Sequence, residues 1–255
     1  MSSGKVYLVG AGPGAADLLT VRAVNILARA DIVFHDALIN KDILHHCPQE
    51  CIFVPVGTRG GYRVEGRQAR IHRMLSDAAA HYTTIVRLKG GDPCIFGRGG
   101  EEMEYLTHQG IPWEVVPGIS AGIGGLSLLG LPVTHRTLSS SVTLLAGSRM
   151  SSGHFEDLPL SSPLSSAQTL VFYMSLGHVQ DIAAQLLQYG MPSETATMCV
   201  SWLSYPQQTL VTAPLAQIGA EVAASSLETP ALMVVGDVVG FWQHLHHQGG
   251  GMEET

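Results

Sequence analysis

Short runs of apolar, often β-branched residues alternate along the chain with segments whose apolar positions recur at helical spacing. The first run, residues 6–9, ends in the loop Gly10-Ala11-Gly12-Pro13-Gly14. A helical pattern then covers residues 17–30, and Asp17 is its expected N-cap. The same periodicities predict strands at residues 32–34, 52–56, 84–88 and 113–116, and helices at residues 67–81 and 101–109.

The second half of the chain repeats this alternation more loosely. Strands are predicted at residues 142–145, 169–173, 197–202, 209–212 and 232–235, and helices at residues 179–189 and 215–224. We therefore expect α/β layers with mostly parallel sheets. The uncharged stretch 115–134 is as long as a membrane span, but Pro117, Pro132 and five glycines interrupt it. We interpret it as a strand end, a loop and a glycine-rich buried helix.

The composition is that of a globular protein. Its 255 residues suffice for one large domain or two small ones. Hydrophobic residues make up 45% and charged residues 14%, with a mean hydropathy of +0.21, which excludes a disordered tail protein. Four cysteines are too few for a disulfide scaffold, and no basic-then-apolar segment precedes the first strand. We therefore expect a cytoplasmic protein without a signal peptide.

Composition and charge both change along the chain. We place an N-terminal α/β domain at residues 1–125, a C-terminal α/β domain at residues 126–248, and a disordered tail at residues 249–255. All 14 Lys and Arg lie within the first 149 residues beside 12 acids, whereas residues 150–255 hold nine acids and no Lys or Arg. The basic surplus of a nucleic-acid-binding protein is missing. Either the second half has a solvated acidic face, or an anionic ligand is bound by the first 149 residues.

The first glycine loop fits a dinucleotide-binding pattern. Gly10, Gly12 and Ala15 match G-x-G-x-x-A after a strand, and Asp36 follows at about the distance of a ribose-binding acid. Pro13 argues against this interpretation, because a pyrophosphate at a helix N-terminus needs N–H groups and proline has none. A nicotinamide-dependent oxidoreductase therefore stays the less favoured alternative.

The second glycine loop, RLKGGDPCIFGRGGEE at residues 87–102, carries more chemistry. Gly90 and Gly91 at a strand end let the backbone approach a ligand closely. Asp92, restrained by Pro93, either accepts hydrogen bonds from a ligand or builds a turn. The density of glycine, arginine and acid in this loop favours a functional role.

Six motifs carry a resemblance to a known family. They are VGAGPG at 9–14, the loop at 87–102, VVPGISA at 115–121, GLPVTHR at 130–136, LVFYMSL at 170–176 and TPALMVVG at 229–236. Over residues 6–245 the chain resembles the S-adenosylmethionine-dependent tetrapyrrole methylases, most closely those that act on uroporphyrinogen III. The resemblance implies two α/β domains with the cofactor in the cleft between them, a fold distinct from Rossmann-type methyltransferases.

The resemblance also implies a site for S-adenosyl-L-methionine as co-substrate, with S-adenosyl-L-homocysteine as product. The residues that match this site in the family come from several strand-end loops. They are Pro13, Gly90, Gly91, Asp92, Ile95, Ser120, Ala121, Met174, Leu203, Pro230 and Ala231. Leu203 stands where the family usually has glycine.

The implied reaction is two successive methylations of a reduced tetrapyrrole, at C2 and C7, to give precorrin-2. Asp36 matches the family's proposed proton acceptor, although an acid at a strand end also commonly caps a turn. Arg98 and Glu101 match positions near the reacting pyrrole, and we expect all three to be catalytic.

The implied substrate carries eight carboxylates, so arginine is the expected binding residue. Arg136 and Arg59 match this role, because a planar guanidinium binds a carboxylate through two hydrogen bonds. Met174 is expected to contact the substrate as well as the cofactor. Because the pyrrole carbons of the implied substrate are electron-rich, positioning of the substrate against the methyl donor, rather than an activated side-chain nucleophile, would supply most of the catalysis.

The chain departs from the family pattern at several positions. The family's Gly-Lys-Arg is Gly57-Thr58-Arg59 here, its Tyr-Asp-Arg is His35-Asp36-Ala37, and its Thr-Gly-His is Ala146-Gly147-Ser148. The missing lysine is a proposed proton donor in relatives. It is therefore either dispensable or replaced by His35, Arg59 or Arg63.

The sequence leaves one main alternative activity open and argues against several kinds of partner. A sister precorrin or cobalt-precorrin C-methyltransferase is the main alternative activity. No metal site, nucleic-acid partner or membrane partner is expected: Cys47 and Cys51 lack a second matching pair, and Cys94 and Cys199 have the character of buried small hydrophobes. From the family we expect a homodimer and a single activity without an N-terminal dehydrogenase module. The pathway that uses the product, towards sirohaem, cobalamin or haem d1, stays open.

Overall fold

The computed structural model describes residues 4–57, 66–147, 150–151, 154–155, 160 and 164–248. It divides into two compact units, Met1–Ala121 and Gly122–Thr255. Each unit has its own five-stranded sheet with helices packed against it, which agrees with the expected α/β class. The predicted tail, residues 249–255, lies outside the described residues.

The first unit is built on a fully parallel sheet in the order β3-β2-β4-β1-β5. Its strands are β1 Lys5–Gly10, β2 Ile32–His35, β3 Ile52–Pro55, β4 Thr84–Lys89 and β5 Trp113–Val116. Its helices are α1 Val21–Leu27, α2 Arg67–Ala79 and α3 Gly99–His108. Because β1 and β4 are central strands covered on both faces, nearly all of their residues are buried.

The two faces of this sheet are covered by different helices. Val9, Val33 and Val86 pack with α1 on one face. Leu8, Phe34 and Ile85 pack with α2 and α3 on the other, where the helices present Ile71, Leu75 and Leu106 at helical spacing. Arg87 and Lys89 follow Ile85 at two-residue steps along β4, so their side chains belong to the face that α2 and α3 cover.

The second unit contains a mixed sheet in the order β11-β10-β12-β9-β6. Its strands are β6 Val142–Ala146, β9 Thr169–Tyr173, β10 Ala196–Ser201, β11 Thr209–Pro214 and β12 Ala231–Val235, with β7 Met150–Ser151 and β8 His154–Phe155 in a separate pair. Its helices are α4 Leu126–Leu128, α5 Val179–Gln188, α6 Ile218–Ala224 and α7 Asp237–Gln248. A π-helical turn, Ala121–Gly125, precedes α4.

The expectation of mostly parallel sheets is correct for the first unit and wrong for the second. Among the described strands of that sheet, only β6 and β9 pair in parallel, whereas β9–β12, β12–β10 and β10–β11 are antiparallel. The loop 202–208 between β10 and β11 is too short for the crossover that joins parallel strands, so these two strands form a hairpin. Loop length, rather than strand–helix alternation, was the informative signal.

The predicted N-cap at Asp17 is also wrong. Ala16–Leu18 forms a single 3₁₀ turn, and α1 begins at Val21. Thr20 is the actual N-cap, since its hydroxyl accepts a hydrogen bond from the Ala23 N–H at 3.1 Å. The loop after β1 is consequently longer than the apolar periodicity indicated.

The uncharged stretch 115–134 has the predicted order of elements, but its helical part is not buried throughout, since Ile123 is 47% and Leu128 is 59% exposed. It comprises the end of β5, a loop, the π-helical turn and the short helix α4. Across the described ranges, no helix combines the length and apolar character that crossing a bilayer requires.

Candidate functional site

The carboxyl ends of the parallel strands in the first unit carry the glycine loops. Gly12 and Gly91 exchange backbone hydrogen bonds of 3.2 and 2.8 Å, and the Ala11 N–H donates to the Lys89 carbonyl at 2.7 Å. The N–H groups of this loop therefore serve the neighbouring loop, and Pro13 has none to offer. This arrangement disfavours a pyrophosphate site and with it the nicotinamide alternative.

The glycines of these loops meet two different requirements. A Cβ atom added to Gly10 would lie 2.5 Å from the Gly118 Cα, so the close approach of two loops requires glycine there. A Cβ atom added to Gly90 would have no atom of a described residue within 4 Å. Internal packing does not require glycine at position 90, which leaves its backbone accessible to a ligand.

The Asp92 carboxylate ties the second glycine loop together. Its two oxygens accept the backbone N–H groups of Cys94 at 2.7 Å and of Gly118 at 3.0 Å. The turn-building interpretation of Asp92 therefore describes what its carboxylate does within the protein. The prediction that Cys94 is a buried small hydrophobe is wrong: this turn leaves it exposed, whereas Cys199 is buried.

Asp36 follows β2 at the same edge of the sheet and is held by a buried arginine. The Arg87 Nη2 donates to Asp36 Oδ1 at 2.5 Å, and the Arg87 side chain is only 4% exposed. Its Nη1 donates to the carbonyls of Phe34 and Leu88 at 3.3 and 3.1 Å. Because Asp36 is itself 32% exposed, the pair connects the protein interior with the open edge of the sheet.

A second buried acid, Glu102 from α3, extends this contact into a network. Its Oε1 accepts from Arg87 Nε at 3.1 Å and from Gln68 Nε2 at 3.3 Å, and its Oε2 accepts from Lys89 Nζ at 2.9 Å. Glu102 is fully buried. Two cations and two acids, including Asp36, thus form a network that is neutral overall.

Burial and neighbouring charges shift the pKa values of the two cations of this network in opposite directions. Burial lowers the pKa of Arg87, but Asp36 and Glu102 outweigh it and raise that pKa above the usual value. Burial together with the charge of Arg87 lowers the pKa of Lys89, and Glu102 only partly opposes this.

The residues predicted for the site do not include this buried network, although the sequence contains a pattern that indicates it. Arg87 and Lys89 interrupt the apolar pattern of a central strand that is buried on both faces. Glu102 precedes the buried Leu106 by one helical turn, which places an acid on the inner face of α3. Since buried charges are normally paired, the three residues could have been matched before the structure was known.

Arg98 and Glu101 form a second, exposed pair beside the network. Arg98 precedes α3 in a left-handed conformation, with φ of 58°. Its Nε and Nη2 donate to the two carboxylate oxygens of Glu101 at 2.7 and 2.6 Å. This two-point hydrogen bond raises the pKa of Arg98 and lowers the pKa of Glu101. Both side chains are about half exposed, at 57% and 50%.

The second unit gathers four predicted cofactor residues at one edge of its sheet. The register aligns Tyr173 and Val200 with Leu232, so the ends of β9 and β10 lie beside the start of β12. The predicted residues at this edge are Met174, Leu203, Pro230 and Ala231.

Two of these residues have distinctive environments. Met174 has a φ of 55° and is 51% exposed. Leu203 is only 6% exposed, so the side chain that replaces the family's glycine is turned inward rather than into solvent.

The structure does not bring Arg136 to this edge. Arg136 lies in an exposed turn closed by a 2.9 Å hydrogen bond from the His135 N–H to the Ser139 carbonyl. Ser139 in turn contacts Thr169, at the opposite end of β9 from Met174. The predicted substrate residue Arg59 lies outside the described residues, as do Thr58 and Arg63.

The remaining predicted cofactor residues belong to the first unit and lie at its strand ends. Pro13 follows β1, Ile95 lies within the second glycine loop, and Ser120 and Ala121 follow β5. Ser120 is buried. Elsewhere in this unit, burial raises the pKa of the Cys47 thiol to about 12, which disfavours the thiolate that a metal would need.

These observations define an α/β protein with glycine loops at the strand ends of one unit and a charged network beside them. The sequence profile of the family described as Tetrapyrrole (Corrin/Porphyrin) Methylases matches residues 5–219. The chain belongs to this family, and the resemblance seen in its motifs is confirmed.

Named relatives extend the comparison over nearly the whole chain. A uroporphyrinogen-III C-methyltransferase of Sinorhizobium sp is 42% identical over 94% of this chain and 85% of its own length. An S-adenosyl-L-methionine-dependent uroporphyrinogen III methyltransferase of Arabidopsis thaliana, described as chloroplastic, is 38% identical over 99% of this chain and 69% of its own.

A solved structure supports the same fold. The uroporphyrin-III C-methyl transferase of Thermus thermophilus, complexed with S-adenyl homocysteine, matches with a TM-score of 0.76 and 37% identity. The match covers 92% of this chain and 93% of that one. The expected two-domain α/β fold is therefore confirmed.

Proposed function

We propose that the chain is an S-adenosylmethionine-dependent methyltransferase that methylates uroporphyrinogen III twice, at C2 and C7, to give precorrin-2. One structural observation carries the proposal. The strand ends of the first unit place an accessible glycine backbone and a fixed carboxylate at the same edge of a sheet. The relatives that carry this activity in their names match over nearly the whole chain.

The residues at the strand ends fit S-adenosylmethionine. Gly90 offers an accessible backbone, and the loops on either side are fixed to each other through Gly12, Gly91 and Gly118. We assign cofactor contacts to these loops and, in the second unit, to the strand ends that carry Met174 and Ala231. When bound, S-adenosylmethionine supplies an electrophilic methyl group on a sulfonium.

The chemistry needs positioning and one proton acceptor. A pyrrole carbon of the substrate forms a new bond to the methyl carbon. At the same time the bond between the methyl carbon and sulfur breaks, and its electron pair leaves with sulfur. The alkylated ring then loses a proton. Asp36 is the proposed acceptor, because its carboxylate is fixed on one side by Arg87 and partly exposed on the other.

Arginines provide the proposed contacts to the carboxylates of the substrate. Arg98 is exposed and already oriented by Glu101, so it is suited to bind an anion. Arg136 and Arg59 remain proposals from the family resemblance. We also propose that the enzyme acts in the cytoplasm as a homodimer, which sedimentation equilibrium of the purified protein would test.

The test is transfer of label from S-adenosylmethionine to uroporphyrinogen III under reducing conditions. The wild-type protein should label the tetrapyrrole. Asp36→Asn should reduce the rate by about 10²-fold or more, the usual contribution of a general base. Asp77→Asn, a change of the same type at an exposed site on α2, should leave the rate unchanged.

Equilibrium titration with S-adenosylhomocysteine and NAD separates the two classes of enzyme. We expect S-adenosylhomocysteine to bind and NAD not to bind. Binding of NAD alone, or no transfer to any reduced tetrapyrrole, contradicts the proposal. Transfer only to a methylated precorrin would instead support the sister methylase.

A further inference from the structure

We propose that Arg87 is a positioning residue for methyl transfer: its guanidinium fixes the Asp36 carboxylate, and Glu102 with Lys89 fixes Arg87. The inference rests on the proposed function, in which Asp36 accepts the proton. It assigns a role to three buried charged side chains that the direct chemistry of transfer does not use.

Hydrogen bonds fix the Arg87 guanidinium on every side. Each of its three nitrogens donates to a different set of acceptors: Nη2 to Asp36, Nη1 to the backbone carbonyls of Phe34 and Leu88, and Nε to Glu102. A planar guanidinium held at all three nitrogens has no rotational freedom left. The Asp36 carboxylate therefore has one oxygen on a rigid donor, while the side chain as a whole stays partly exposed.

Glu102 holds Arg87 in place from α3. Both of its oxygens are occupied, one by Arg87 and Gln68 and the other by Lys89. The carboxylate thus joins α3 to β4 and holds the guanidinium at Nε, while Asp36 is held at Nη2. Lys89 makes the four-residue network neutral, which a buried cluster requires.

Stability does not explain why charged side chains occupy this buried position. A buried ion network contributes little to stability, and packed apolar residues of similar volume commonly serve as well or better. Arg87, Lys89 and Glu102 continue a face of the sheet that is otherwise apolar, with Ile85 and Leu106 beside them. Stability alone therefore does not account for three charges at this place, whereas orientation of a catalytic carboxylate does.

Positioning and charge predict different results for a conservative substitution of Arg87. Arg87→Lys keeps a positive charge in the buried network, whose other charged side chains are Lys89 and Glu102, while His35 precedes Asp36 in the chain. If the positive charge alone controlled the rate, this variant would be as fast as the wild type. Positioning predicts a slower enzyme, because a lysine ammonium does not reproduce the planar fork of the guanidinium.

A double-mutant cycle on the full chain tests the inference. Arg87→Lys keeps the charge but loses the planar fork, and we expect kcat to fall by about 10²-fold, the scale of a 1 Å misplacement. The KM for the tetrapyrrole and the affinity for S-adenosylhomocysteine should change by less than about twofold. In an Asp36→Asn background, Arg87→Lys should have no further effect on kcat.

Controls and a second variant keep the test decisive. Arg22→Lys, the same change at an exposed site, should leave kcat unchanged. If Arg87→Lys does not fold, Glu102→Gln keeps the side-chain shape, and its smaller loss of kcat should also vanish in the Asp36→Asn background. Equal losses in both backgrounds would overturn the inference, because they would show that Arg87 does not act through Asp36.

A readout without turnover separates this inference from the proposed function. The carboxyl ¹³C resonance of Asp36, assigned by its absence from Asp36→Asn, should have a different chemical shift in Arg87→Met than in the wild type at the same pH, because the hydrogen bond from Arg87 Nη2 is lost. An unchanged chemical shift would contradict the Arg87–Asp36 coupling even in an inactive protein. A wild-type protein that transfers no methyl group, with the chemical shift changed as expected, would refute the proposed function alone.

Discussion

Two adjacent glutamates at the start of α3 should contribute very differently to stability. Glu102→Ala removes the shared partner of Arg87 and Lys89, which are 4% and 3% exposed, and leaves Arg87 with Asp36 alone and Lys89 without its ion-pair partner. Removal of one partner of a buried ion pair typically destabilises a protein by about 3–5 kcal/mol. Glu101→Ala breaks only an exposed pair, which is typically worth about 0–1 kcal/mol.

Hydrogen exchange of the β4 amides measures this difference within the first unit. Unfolding of a protein with two compact units is not expected to follow a single transition, so a local probe is preferable to one global midpoint. We expect the free energy of opening at β4 to fall by about 3 kcal/mol or more in Glu102→Ala and by less than about 1 kcal/mol in Glu101→Ala. Equal effects of the two substitutions would refute the assignment of Glu102 to a buried network.

Three further predictions follow from other parts of the structure. Arg98→Ala should reduce turnover by about 10-fold or more while changing stability by less than about 1 kcal/mol, since its pair with Glu101 is exposed; kcat and denaturant unfolding measure the two effects. Gly90→Ala should weaken S-adenosylhomocysteine binding by about tenfold in calorimetry without loss of stability, because its Cβ meets no described residue and would instead occupy the ligand's place; Gly100→Ala, equally unobstructed, should leave binding unchanged. Burial lowers the pKa of His72 below its usual 6.5, so the folded state takes up this proton less readily than the unfolded state, and the stability of the first unit should decline as pH falls below about 6.5. His72→Phe, which keeps an aromatic ring against Tyr105, should reduce that decline, and an unchanged pH dependence would contradict it.

Most of the secondary structure could be predicted from apolar periodicity. The strands at residues 113–116 and 169–173 have the predicted bounds, and α2 begins at Arg67 as expected. Periodicity failed where a side chain or a loop length decides the structure. Thr20 rather than Asp17 caps α1, and the short loop after β10 makes the second sheet largely antiparallel.

The candidate site was predicted unevenly, for a physical reason. Glycine loops and exposed arginines can be recognised in the sequence because their residue types are unusual where they occur. The network behind Asp36 gives a weaker signal, because Arg87 and Glu102 are 15 positions apart and are recognised as partners only when the buried charges of β4 and α3 are matched with each other. The sequence also does not specify where a side chain points. It therefore could not show that the Asp92 carboxylate accepts backbone N–H groups of its own loops, or that the Leu203 side chain is buried.

The most direct measurement of the central claim is the number of methyl groups on the product. Reduced uroporphyrinogen III is incubated with the protein and excess S-adenosylmethionine, and the tetrapyrrole is analysed by mass spectrometry against an Asp36→Asn reaction run in parallel. The proposed activity predicts a product with two added methyl groups, nearly absent from the variant reaction. A tetrapyrrole that gains no methyl group, or equal methylation by both proteins, would contradict the account.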